Sequence, residues 1–118
     1  MCAFAFTDAV GPGRTPPLRV KARLSLLRSD EGGRTGGIRS GYRPNHNFGE
    51  ADDQVFYIGQ IEFEGRETIE PGESREVLVT FISGPGLELA LQPGRRWRIQ
   101  EGPRLVATAV LLEVLSEI

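Results

Sequence analysis

Cysteine is almost absent. Cys2 is the one thiol among 118 residues, so no internal disulfide can form, and the chain suits a reducing compartment. Histidine is equally scarce. With His46 alone beside Cys2, no Cys/His zinc cluster can be assembled. Lysine occurs once, at Lys21, and no G-x-x-x-x-G-K-[S/T] run exists, which argues against a phosphate-binding loop and nucleotide hydrolysis. Apolar runs are short. The stretch Leu105–Leu112 falls far below the ~20 residues of a membrane span. The opening residues MCAFAFTDAVGPGR lack a basic region ahead of their apolar ones and carry Pro12, which makes a poor secretory signal. The expectation is a cytoplasmic protein with no membrane partner, bound nucleotide, metal or cofactor.

Glycine and proline, by contrast, are plentiful, at 15 and 8 residues. Many turns and short elements favour an all-β fold. The segment Gly11–Pro17 ends a loose N-terminal arm over 1–17, and a single β-barrel domain is expected over 18–118. From Leu18 to Arg28 the residues alternate, with Val20, Ala22, Leu24 and Leu26 on one face, which predicts a half-buried strand. Ser29–Asp53 is a long polar stretch with room for a short strand near Tyr42–Phe48. Further strands are expected over Gln54–Gly65, Arg75–Ile82, Leu87–Leu91, Arg95–Gln100 and Arg104–Leu115. Gly59 within one of them suggests a bulge or a close backbone approach. The last strand has apolar residues on both faces, as a strand covered on both sides would. The expected core includes Val20, Ala22, Leu24, Leu26, Val77, Val79, Phe81, Val110 and Leu112. Six or seven such strands make a small barrel or sandwich.

Catalytic signals are weak. Glu50, Asp52 and Asp53 match no calcium-loop spacing and read as a solvated loop. Glu62 and Glu64 share a strand face, as solvated carboxylates do. His46 reads as a surface-loop residue, and its spacing from Ser40 is not diagnostic of nucleophilic catalysis. The expectation is that the protein is not an enzyme. Arginine supplies 13 of the 14 basic residues, although the net charge is −2. Several of these arginines flank or occupy the long loop, and Arg95, Arg96, Arg98 and Arg104 gather near the last hairpin. Guanidinium groups suit phosphate and carboxylate recognition.

Glu31–Pro44 reads EGGRTGGIRSGYRP: an EGGR tetrad, six residues, then GYRP. Downstream come Phe48, the turn Pro71-Gly72-Glu73, the strand REVLVTF and the closing run RIQEGPRLVATAVLLEVL. In order and spacing this resembles the third, C-terminal domain of bacterial elongation factor Tu, over Leu18 to about Leu115. The resemblance implies a six-stranded antiparallel Greek-key-type β-barrel in a stand-alone, divergent copy without the GTPase domain. It also implies contacts to the T-stem backbone of aminoacyl-tRNA through Arg34, Glu101 and Gly102. The matching loop residues are Gly32, Gly33, Gly41, Tyr42, Arg43 and Pro44. Thr35, Ile58 and Arg98 depart from the family pattern. Several loop residues also have a structural role: the glycines for tight backbone, Pro44 as a rigid loop exit, and Arg43 as a partner for a carboxylate across the barrel.

Two functions follow as expectations. One is a non-catalytic, translation-related module that touches tRNA or a translation-factor protein. The other is a stand-alone protein–protein interaction or regulatory, immunity-type barrel that no longer binds tRNA.

Overall fold

The structure is a computed structural model, and it describes residues 18–49, 56–65, 67–82 and 86–117. The expected arm over 1–17, Cys2 and the carboxylates of Glu50, Asp52 and Asp53 lie outside the described residues.

Alternation builds the first strand as expected. β1, Leu18–Leu26, buries every second residue, and Val20, Ala22 and Leu24 are fully shielded. The remaining strands are β2 (Ile38–Arg39), β3 (Asn45–Asn47), β4 (Tyr57–Glu62), β5 (Thr68–Ile69), β6 (Ser74–Phe81), β7 (Arg96–Glu101) and β8 (Arg104–Glu117). Six of them close an antiparallel barrel in the order β1-β6-β4-β3-β7-β8, with β8 returning to β1. The meander β3-β4-β6 and the hairpin β7-β8 are local. The connections from β1 to β3 and from β6 to β7 pass over opposite ends, which gives the Greek-key character. The fold is therefore all-β, a closed six-stranded antiparallel barrel.

Each end has its own cover. Where β1 finishes, β2 and β5 pair as a two-stranded flap, Ile38 opposite Ile69, and drive both isoleucines into the core. At the far end a single helical turn, α1 (Leu87–Ala90), inserts Leu87 and Leu91. This corrects the strand expected over Leu87–Leu91. Leu87, Leu89 and Leu91 fit a two-residue period, but Leu87 and Leu91 are also one helical turn apart, and Leu89 is 77% exposed.

β8 contains the other correction. Val110 is half-buried and Leu112 is 40% exposed, whereas Ala107, Ala109 and Leu111 line the interior. Three register shifts explain the pattern. One against β7 leaves Val106 without a partner between Ala107 and Leu105; two against β1 leave Leu112 and Leu115 unmatched. An extra residue resets which face its successors point to. Apolar residues on both faces thus mark bulges, not a strand covered on both sides.

Candidate functional site

The loop between β1 and β3 returns over the barrel end next to the β7–β8 hairpin. A 3-10 turn at Ser29–Glu31 starts it and ends at Gly32, whose φ is 90°. Gly33 is buried, and a Cβ there would fall 2.8 Å from the Leu27 Cβ, so the loop lies flat on the end of β1 because it carries no side chain. The chain then crosses as β2, turns at Gly41, and enters β3 through the buried Pro44. Opposite it, β7 and β8 are joined by the two residues Gly102-Pro103, with Glu101 paired to Arg104. Gly102 takes φ 60°, the positive angle that a tight two-residue hairpin demands of its first central residue.

Arg34 and Glu101, 67 positions apart, meet here in an ion pair, through Arg34 Nη1 and Glu101 Oε2. Tyr42 Oη donates to the same carboxylate oxygen at 2.5 Å. The Arg34 guanidinium lies 5.3 Å from the Tyr42 ring centre. Its Nε and Nη2 donate to the carbonyls of Gly36 and Gly37, each at 3.3 Å. At least three of the five guanidinium N–H donors are thereby engaged, and the Tyr42 hydroxyl lies beside the same group. About a third of each charged side chain is exposed, at 30% for Arg34 and 35% for Glu101.

The electrostatics follow from this geometry. Burial acts to raise the Glu101 carboxyl, but hydrogen bonds from Tyr42 and Arg34, with the charges of Arg34 and Arg104, outweigh it and hold the carboxyl below its ordinary value. For Arg34 burial acts downward, and Glu101 more than compensates, so the guanidinium stays firmly charged. Burial raises the Tyr42 phenol, and its bond to the Glu101 carboxylate raises it further, so the proton stays on oxygen.

The expected trio Arg34, Glu101 and Gly102 is thus brought together on one barrel end, with Tyr42 added. Sequence reasoning placed Tyr42 in the motif but not against Glu101. The other loop residues separate from this cluster. Arg43 is exposed and donates to the Gln60 side-chain oxygen at 2.8 Å, so its partner is an amide instead of the expected carboxylate.

His46 is no surface-loop residue. It is fully shielded, and Ser40 accepts a hydrogen bond from the Phe63 N–H. Trp97 Nε1–H donates to His46 Nδ1 at 3.0 Å, so His46 Nε2 carries the proton and donates to the Gly59 carbonyl at 3.1 Å. Burial pushes the imidazole down to about 4, against a smaller opposing effect of the Gly59 bond. Neutral His46 satisfies both ring nitrogens; a second proton would face the indole N–H. The parity of β7, with Trp97 and Ile99 alternating inward, was the available signal for a polar acceptor inside this core.

Among the described residues, no group of three or more His, Cys, Asp or Glu side chains is placed to hold a metal ion. No helix among them is long and apolar enough to cross a membrane. No family model matches the chain.

Proposed function

We propose that this protein is a non-catalytic binding module of the translation type, a stand-alone relative of the third domain of elongation factor Tu that contacts the tRNA backbone at the Arg34–Tyr42–Glu101 end of the barrel. One observation carries this reading: a loop arginine and a hairpin Glu-Gly turn, 67 positions apart, converge on one barrel end with the arginine side chain still 30% exposed. Tyr42 and Glu101 hold the guanidinium in place, and the exposed part of a fixed arginine suits a phosphate oxygen. Glu101 neutralises part of the charge, so the contact is weak. In the cytoplasm it works beside other contacts or a translation-factor protein.

Titration of aminoacyl-tRNA at low salt tests this. The expected affinity is ~10⁻⁴–10⁻⁶ M, falling with salt. Arg34→Ala should weaken it and flatten the salt slope by about one unit. Identical isotherms for the two proteins would end the RNA reading. GTP should not bind, because the phosphate cradle and its lysine are missing; saturable binding at micromolar GTP would contradict the non-catalytic assignment.

A second reading rests on a different surface. Ile58 and Ile82, 50% and 54% exposed, border a shallow groove shared with Arg43, Gln60 and Thr80. Exposed isoleucines there favour a protein partner and a regulatory or immunity-type role. Pull-downs from native lysate with and without RNase separate the two readings: a partner that survives RNase favours this one.

A further inference from the structure

β1, β7 and β8 lie side by side, and their register gathers basic residues on one outer face. Arg96 of β7 and Arg23 of β1 are both paired with Val110 of β8, so the three form a row. One step along, Arg98 pairs with Thr108. Ala22 and Leu24 beside Arg23, Ala109 and Leu111 beside Val110, and Trp97 and Ile99 beside Arg98 point inward, and Trp97 separates Arg96 from Arg98. Arg23, Arg96 and Arg98 therefore share the outside. Arg23 and Arg96 are exposed and Arg98 is half-buried. With a rise of about 3.4 Å per residue and strands about 4.8 Å apart, the three backbone positions fall about 7–12 Å from one another.

Among the described residues, no carboxylate forms an ion pair with these three arginines. Glu76 is opposite Arg23 across β6, and Glu113 is opposite Lys21. Neither is within ion-pair distance of Arg23, Arg96 or Arg98; the ion pairs of the described residues are Arg28–Asp30, Arg34–Glu101 and Arg39–Glu67. Arg23, Arg96 and Arg98 thus gather on one face of a chain whose net charge is −2.

We infer that the outer face of β1, β7 and β8, centred on Arg23, Arg96 and Arg98, is a docking surface for the phosphate backbone of a nucleic-acid duplex. Charge complementarity names a polyanion, and what the face lacks narrows the choice. Single-strand surfaces stack bases on aromatic rings, whereas β1 and β8 contain no aromatic residue and the one in β7, Trp97, is buried. Protein interfaces place aromatic anchors at a core depleted of charge; here no exposed aromatic is present, and Val110 and Thr108 have Arg23 on one side and Arg96 and Arg98 on the other. A duplex presents a charge every ~1.7 Å along its axis, so three guanidinium groups spread over this face meet several phosphates without reading a base. The surface is separate from the Arg34 cluster and stands whether or not that cluster binds tRNA.

The test is fluorescence anisotropy with a labelled RNA duplex of 20 base pairs, from 50 to 200 mM salt, in an Arg34→Ala background that removes the other site. Binding at ~10⁻⁴–10⁻⁶ M is expected, with log affinity falling by about 2–3 per decade of salt for three contacts. Arg23→Gln, Arg96→Gln and Arg98→Gln together should cut affinity at least tenfold and abolish most of the slope; Arg96→Gln alone should flatten it by about one unit. Should the triple variant melt early, the single variants carry the comparison. The inference is overturned by unchanged binding in the variants. It is also overturned by tighter binding of a 20-nucleotide single strand, or by polyglutamate displacing the duplex as well as unlabelled duplex does, which would indicate an acidic protein partner.

Discussion

Glu101 is a carboxylate that accepts from an arginine and a tyrosine at one oxygen. Removing the phenol hydroxyl with Tyr42→Phe leaves the ion pair standing and should cost about 0.5–1.5 kcal/mol, read from urea unfolding. His46 makes a sharper case. Its folded value lies near 4, below the 6.5 of the free side chain, so the unfolded chain takes up a proton first as pH falls. Its contribution is complete above pH 6.5 and is lost between about 6.5 and 4, on the order of 3 kcal/mol in total. Glu101 acts in the same direction at lower pH: its carboxyl is depressed, so its contribution holds above 4.5 and disappears as pH falls through the folded value. Unfolding curves at pH 7, 5.5 and 4.5 should show this decline, and His46→Gln should flatten the part above pH 4.5. Neither pairing could be read from composition. A single histidine in a polar, glycine-rich stretch looks solvated until Trp97, 51 residues away, supplies the N–H it accepts.

Within elements, local alternation was legible where a strand kept strict register and misleading where it did not. β1 and β6 alternate without interruption, and Val20, Ala22, Leu24, Leu26, Val77, Val79 and Phe81 are all buried as expected. β8 slips three times, and each slip is set by its neighbours rather than by its own residues. Two adjacent leucines therefore differ. Leu111→Ala should cost about 2–5 kcal/mol, and Leu112→Ala about 0.5 kcal/mol or less, compared by thermal melting. The close approach expected at Gly59 has a definite cause. A Cβ there would sit 2.8 Å from His46 Nε2 and 3.0 Å from Phe81 Cδ1, both packed side chains. Gly59→Ala should lower stability by about 1–3 kcal/mol, visible as a drop of several degrees in Tm.

For the molecule as a whole, the turn chemistry and strand count pointed to the barrel, while the cluster at its end depended on which loop crosses which rim. Neither Arg34 nor Glu101 announces the other across 67 positions; the EGGR and EGP motifs do so through the resemblance alone. The pairing of β1 with β8 has a consequence for presentation. Leu18 lies opposite Glu117, and Leu26 lies opposite Ala107, towards the Arg34–Tyr42–Glu101 rim. The two ends of the described chain therefore leave the barrel together, at the pole away from that rim. An attachment made at either of these ends would therefore meet the barrel on the side away from that rim. Tethered by either end to a bead, a membrane or another domain, the barrel would hold its arginine-tyrosine-glutamate rim outward, like a lamp on its post.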